Sequence, residues 1–384
     1  MPKMVIDAVS RAMATATHNL GGPFAGSDRA VQICDNAHQS MALVLGAKSE
    51  REVIIAQSMT CLTLHVSRSI GRLFQPGDEI IVTKMDHEGN ISPWLLLAED
   101  LGLTVKWLPV NKETWRIEPA DLEPLITDRT RLLALNYSSN VSGSINDVKA
   151  LTKVAKKSDV LVYVDAVQLV PHRLPEVYDL GCDFLACSSY KFFGPHLGIL
   201  WGREEVLAKL QPYKARTASN ALPECFETGT PQTELLAGLT AAVDYLAWLG
   251  EINGYHGTKK EKLEGAYRSF QVYEDLLMHK LINGLRSIDG VKIFGISEPV
   301  QYKNRVPTVS FYHNKVTSSA ISKALGERNI YSWSGHNYAR ELIRHFGINE
   351  EDGIVRLGIA HYNDMGDIEA VLSAINDILK KSEQ

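Results

Sequence analysis

Residues 162–198 read VYVDAVQLVPHRLPEVYDLGCDFLACSSYKFFGPHLG, and the punctuation of this stretch decides the fold. One apolar run ends in an acid, Asp165, with an amide, Gln168, three residues on. After a helical interval a second run, FLACSS, delivers Ser188, Ser189, Tyr190 and then Lys191, followed by a Gly-Pro turn and another apolar run. Short apolar runs separated by such intervals predict buried, mainly parallel strands. A lysine at the tip of a buried strand is costly, because desolvation pushes its pKa toward the free amine. A free amine is the form that makes a Schiff base.

Outward from this stretch the same alternation continues. Strands are predicted at Val53–Ala56, Glu79–Thr83, Thr104–Leu108, Arg131–Leu135, Val160–Val164, Asp183–Cys187 and Gly198–Trp201, with helical patterns between most of them. The pattern implies an α/β large domain, a mainly parallel seven-stranded sheet covered by helices on both faces. From about Gln232 the chain becomes long-helical, then offers four shorter strands at Val291–Phe294, Val306–Tyr312, Ile330–Ser332 and Ile354–Ile359, and a closing helix. This reads as a smaller C-terminal α+β domain. The expected division is 1–25 (an N-terminal helix and loop packing with the small domain), 26–250 (large domain) and 251–384 (small domain), with the break inside continuous helix. In the first helix Val5, Ala8, Val9 and Met13 fall at helical spacing.

Composition narrows the classes. The 384 residues carry 40 Lys+Arg against 45 Asp+Glu, a formal net charge of −5, with no basic block that would suit nucleic acid. The five cysteines, Cys34, Cys61, Cys182, Cys187 and Cys225, have no CxxC or metal-ligand spacing and read as small buried hydrophobes of a reducing compartment. No apolar run is expected to span a bilayer, and the N-terminus lacks a secretory core. The expectation is a soluble, cytoplasmic protein.

In a parallel sheet ligands sit beyond the carboxyl ends of the strands, so the residues there are the candidates. Ser58 and Thr60 follow the first strand where a helix begins, a place suited to phosphate or to plain N-capping. His87 follows the second strand, either to stack on a flat cofactor or to serve a loop hydrogen bond. Asn140, in NYSSNVSGS, either donates to a phenolate or carboxylate or simply forms a turn. Gly229 and Thr230, in FETGTPQT, cradle a phosphate or only turn the chain. Arg356, inside IVRLGIA, wants a carboxylate from the protein or from a substrate. Together these positions contain the parts of one pyridoxal phosphate site: an amine, an acid for the ring nitrogen, a ring stacker, phosphate donors and a carboxylate clamp.

DxxQ (165–168), SSYKFFGPHLG (188–198), DHEGNISPW (86–94), SSN (138–140) and FETGTP (226–231) resemble the class V aminotransferase and cysteine desulfurase group, fold-type I pyridoxal phosphate enzymes. SMTCLT (58–63), WSGHNYA (333–339) and RLGIAHYN (356–363) look like its "cysteine desulfurase-like" subfamily. The resemblance implies that Lys191 carries the Schiff base and moves protons at Cα, with Asp165 on the pyridine nitrogen, Gln168 on the phenolic oxygen and His87 on the ring. It assigns Thr60, Ser188 and the position of Tyr190 to the phosphate, and Met59 to the cofactor site. Gly229 and Thr230 match a loop that reaches the neighbouring subunit's phosphate, which implies a homodimer with shared sites. Arg356 matches the substrate carboxylate clamp, Asn140 a residue near phenolate and substrate, and Trp333, His336 and Tyr338 the loop around the substrate.

Three departures shape the functional expectation. Tyr338 stands where desulfurases of this group carry a mobile cysteine, and no cysteine follows Cys225. A phenol cannot replace a thiolate in taking sulfur as persulfide. Trp333 replaces an arginine common at the start of that loop, which makes the pocket less polar. The chain also begins inside the helix that normally follows a short N-terminal strand, so a truncated gene model or an incomplete site is expected. The resulting expectation is a pyridoxal-phosphate-dependent enzyme acting at Cα of an amino acid, lyase-type rather than persulfide-forming. Transamination, epimerisation and decarboxylative carbon–carbon bond formation are the alternatives, and a catalytically inactive fold-type I partner protein is the alternative of another class.

Overall fold

The computed structural model describes residues 1–381. Its large sheet contains β1 (Val53–Ala56), β2 (Glu79–Thr83), β3 (Thr104–Leu108), β4 (Thr130–Asn136), β5 (Leu161–Asp165), β6 (Phe184–Ser188) and β7 (Gly198–Gly202). They lie in the order β1-β7-β6-β5-β4-β2-β3. The neighbours from β6 through β5, β4 and β2 to β3 pair in parallel, while β7 runs antiparallel to both β6 and β1.

The continuous apolar runs are explained by two cores, one on each face. Val162 and Val164 of β5 enter one core with Leu133, Leu135, Leu185 and Cys187. Tyr163, between them, points the other way and joins Leu132, Ala134, Phe184 and Ala186. With both faces covered, no residue of the strand has to be polar until the strand ends.

The second sheet contains β8 (Val291–Ile293), β9 (Thr308–His313), β10 (Trp333–Gly335) and β11 (Ile354–Gly358), antiparallel throughout in the order β10-β11-β9-β8. The strand expected at Ile330–Ser332 is displaced to Trp333–Gly335. Asn329 sits at φ 58°, and the ladder to β11 starts only where Trp333 faces Arg356, leaving Tyr331 90% exposed.

One helix serves both cores. Helix Lys259–Arg286 contributes Leu263, Ala266, Tyr267 and Phe270 to the large core, then Leu277, Met278, Leu281 and Leu285 to the small one. The cores therefore change over inside this helix, between Phe270 and Leu277. The first helix, Lys3–Thr15, was expected on the small domain. It lies along helix Thr233–Ile252 instead, where Val5 meets Ala241 and Ala242 and Thr233 donates to the Ala16 carbonyl at 2.9 Å. Ala12 takes the inward position, leaving Met13 61% exposed.

Two expectations from composition need correction. Helix Thr233–Ile252 is long and apolar enough, by length and composition alone, to cross a membrane. Its apolar surface is instead used for packing, with Leu236, Leu239, Val243 and Leu246 in the large core. Four of the five cysteines are buried as expected, but Cys61, in the first turn of helix Met59–Gly71, is exposed.

Candidate active site

The sheet order gathers the candidate residues along one edge. The carboxyl ends of β4, β5 and β6 present Asn136, Asp165 and Ser188 side by side, with Asn136 paired to Asp165 in register. The turn after β2 brings His87, and the turn after β1 brings Ser58, Met59 and Thr60. From the small sheet Trp333 of β10, Arg356 of β11 and the following Asn337–Tyr338 segment close the opposite wall. The enclosed cavity has a volume of about 650 Å³.

Each side chain is placed by an identifiable local device. Asp165 Oδ1 accepts the Val167 amide at 2.8 Å, which turns the carboxylate over the end of β5. Lys191 rides on a 3-10 turn, Ser189–Phe192. The Ser189 hydroxyl donates to the Pro195 carbonyl and its amide to the Leu197 carbonyl, so the Gly-Pro loop folds back on the turn. Phe193 ends that turn at φ 71°, its ring held edge-on against His361 at 4.7 Å and Tyr245 at 5.9 Å. A left-handed phenylalanine costs about 1–2 kcal/mol, so the aromatic cage is what holds the lysine turn in shape.

His87 is set by a buried chain of hydrogen bonds beneath it. Asp86 accepts from the Thr83 hydroxyl, from Asn90 Nδ2 at 2.6 Å and from the Asn136 amide at 3.1 Å, and Trp94 Nε1 donates to Asn90 Oδ1 at 3.1 Å. The imidazole Nδ1 accepts the Gly89 amide at 2.9 Å, which leaves the flat ring facing the cavity. A Cβ on Gly89 would stand 2.9 Å from Thr60 Oγ1 and 3.1 Å from His87 Nδ1, so glycine is required where these two residues converge.

At the other end of the cavity Ser58 caps helix Met59–Gly71, its hydroxyl accepting the Cys61 amide at 3.1 Å. Capping and anion binding coexist here, since the Met59 and Thr60 amides have no acceptor among the described residues. Gly198 lets β7 press against this point, because a Cβ there would lie 2.1 Å from the Ser58 backbone.

The electrostatics follow from burial. Lys191 is lowered from 10.5 to about 8, first by desolvation and then by Arg356, with Asp165 opposing. Asp165 is raised from 3.8 to about 6 by burial, against the Val167 amide and Lys191. His87 is lowered from 6.5 to about 4 by burial and by the cationic Lys191 and Arg356, so its ring is neutral. The amine of Lys191 makes no hydrogen bond or ion pair among the described residues, and neither does Arg356 have a carboxylate partner. Arg356 Nη1 instead donates to the Asn140 carbonyl at 3.1 Å.

The remaining candidates divide. Gln168 is on the wall, its Nε2 donating to Thr308 Oγ1 at 2.8 Å. Tyr190 is at the rim, stacked on His196 with centroids 4.9 Å apart. Asn140 Nδ2 donates to the Asn337 carbonyl at 2.7 Å, leaving its Oδ1 buried without a partner. His336 does not reach the wall; its Nδ1 accepts the Tyr338 amide at 3.0 Å and shapes the turn. Gly229 and Thr230 lie outside the cavity, on a separate one of about 620 Å³ that also exposes Cys61.

Sequence reasoning missed Asn337, His196, Ser138 and Asn136, all on the wall. Asn337 is 3% exposed at φ 50°, followed by Tyr338 at φ 60°. Asparagine is the residue that tolerates this conformation best after glycine, and that was the one available signal.

Residues 1–371 match the family model for class-V aminotransferases. The chain belongs to that family. As a class-V aminotransferase homologue it is 30% identical, over 92% of its own length and 84% of the other's, to a cysteine desulfurase of Pectobacterium atrosepticum. It is also 30% identical to an aminotransferase-like protein of Gibberella zeae, over 94% and 86% of the two chains. Among solved structures it superimposes on a cysteine desulfurase from Thermococcus onnurineus with a TM-score of 0.88 and 26% identity, covering 99% and 92% of the two chains. A cysteine desulfurase from Escherichia coli gives a TM-score of 0.85 at the same identity and coverage.

The family depends on pyridoxal phosphate, and the residues present suit that group. An amine without a hydrogen-bond acceptor, a buried acid behind it, a flat neutral imidazole and free amides at a helix N-terminus line one cavity. The orphaned Asn140 Oδ1 and Ser138 Oγ lie in the same wall. Lys191, Asp165, His87, Met59, Thr60 and Ser188 are the residues that would hold it.

Proposed function

We propose that this class-V aminotransferase homologue is a pyridoxal-phosphate-dependent enzyme acting at Cα of an amino acid, by lyase-type elimination rather than persulfide transfer. The observation that carries the reading is the Lys191 amine, held in the cavity with its pKa lowered to about 8 and no carboxylate or carbonyl bound to it. Bound there, pyridoxal phosphate supplies an electron sink for the pair left when a bond at Cα breaks.

The chain's own residues supply the rest. Arg356, free of any protein carboxylate, takes the substrate carboxylate and orients Cα. Lys191, about half neutral near pH 8, would accept the Cα proton and pass it to the departing sulfur, which leaves as the thiol. Asp165, a buried carboxylate, would hold a proton on the ring nitrogen. His87 would offer a neutral plane to the ring, and the amides of Met59 and Thr60 would receive the phosphate. For a Cβ–sulfur bond the reaction balances as amino acid plus water giving thiol, pyruvate and ammonia.

Elimination is preferred because none of the five free cysteines lines this cavity, and Tyr338 occupies the wall instead. The position of Gly229 and Thr230, outside the cavity of their own chain, supports a homodimer in which they complete the partner copy's phosphate site.

The test is a visible absorption band in the purified protein that borohydride abolishes and that Lys191→Ala lacks. Incubation with cystine should then yield pyruvate and ammonia. Sulfide without pyruvate would instead favour desulfuration, and pyridoxamine phosphate with a keto acid would favour transamination. A mass in solution equal to one chain would overturn the homodimer.

A further inference from the structure

The amino-acid chemistry proposed above leaves the cavity to decide what side chain the substrate carries. Among the described residues lining it, the formally charged groups are Asp165, Lys191 and Arg356. In that reading the ring nitrogen, the proton transfer and the substrate carboxylate already engage all three. No charge is left to meet a charged substrate side chain. Desolvating such a group without a partner is strongly unfavourable.

The rest of the wall is uncharged, a set of amides and hydroxyls together with the aromatic side chains Tyr190, Trp333 and Tyr338. Trp333 and Tyr338 are 59% and 57% exposed, although both stand on the wall of a cavity. Trp333 is the cross-strand partner of Arg356 in the β10–β11 pair, so their side chains leave the same face of the small sheet as neighbours. A substrate anchored by its carboxylate on Arg356 therefore presents its side chain beside the indole.

Tyr338 bounds the same space and is held there. Its carbonyl accepts the Glu88 amide at 2.8 Å, its amide donates to His336 Nδ1 at 3.0 Å, and its ring lies 5.3 Å from that of His87. Two large aromatic side chains on one wall, each half open, bury further apolar area when an apolar or flat group settles against them.

We propose that Trp333 and Tyr338 form the side-chain subsite, and that the substrate is an α-amino acid with a bulky, uncharged, apolar or aromatic side chain. In the lyase reading this corresponds to a cysteine thioether carrying an apolar or aryl group on sulfur. The inference rests on the pyridoxal phosphate reading and adds to it the class of substrate.

The experiment titrates the holoenzyme with S-benzyl-L-cysteine, S-carboxymethyl-L-cysteine and L-alanine, following the visible band of the bound cofactor and, separately, pyruvate release. S-benzyl-L-cysteine should bind roughly tenfold or more tighter than either of the others. That advantage should fall to about twofold or less in Trp333→Ala and return in Trp333→Phe. Because Trp333 lies largely on the surface, the variants test recognition rather than folding. Equal binding of the benzyl and carboxymethyl compounds, or an unchanged benzyl preference in Trp333→Ala, overturns the subsite while leaving the enzyme reading intact. Failure of every amino acid to move the band overturns the enzyme reading, and the subsite with it.

Discussion

Replacing Lys191 with methionine should stabilise the cofactor-free protein at neutral pH, an unusual outcome for a residue at the centre of a site. Burial and Arg356 lower the amine from 10.5 to about 8. Between those values the unfolded chain keeps a proton that the native state has shed, so native stability rises with pH across that window. Below about pH 8 the full cost is present, about 3 kcal/mol. Methionine fills similar volume without titrating. The cation–π interaction it removes is minor, because the amine stands 5.4 Å from the centre of the Tyr190 ring.

The assay is thermal unfolding of cofactor-stripped wild type and Lys191→Met at matched pH. The variant should melt higher by about 4 °C near pH 8. The gap should halve near about pH 9.4 and close above pH 10.5, where both states of the wild type are neutral. Starting the scan at pH 8 keeps it above the range in which Asp165, raised to about 6, titrates. A gap that stays constant with pH, or one smaller near pH 8 than near pH 10, would refute the claim that a desolvated ammonium is being held there.

Three further outcomes follow from particular neighbours. Arg356→Gln removes a cation that disfavours the lysine ammonium, so the pH midpoint for recombination of apoprotein with pyridoxal phosphate, near 8 in the wild type, should move up. Stopped-flow recombination rates across pH measure it. Gly198→Ala places a methyl 2.1 Å from the Ser58 backbone and must displace the start of helix Met59–Gly71. It should cost about 1–3 kcal/mol and weaken phosphate affinity in a competition titration with inorganic phosphate. Asn337→Ala should lower the melting temperature more than Asn337→Gly, because φ 50° strains alanine by about 1 kcal/mol and leaves glycine at ease.

Much of the fold was legible because its determinants are local. An apolar run that never alternates has to be covered on both faces, and Val162–Val164 against Tyr163 shows that covering directly. The strand ends then had to carry the polar residues, which is why Asp165, His87, Asn140 and Lys191 were readable as a group. The strand at 330–332 was misread because three alternating residues cannot reveal which of them meets a distant ladder partner.

By itself, the sequence determined a parallel sheet and the amine, acid and imidazole at its edge, since each depends on residue type and position within one βα unit. Tertiary structure alone decided which residues close the cavity. Pairing Trp333 with Arg356, anchoring Asn337 to Asn140 across 197 positions and leaving His336 off the wall all depend on how the small sheet docks. It also moved Gly229 and Thr230 away from the cavity of their own chain. Docking sums many weak interactions between residues far apart in the chain, and no local pattern records that sum.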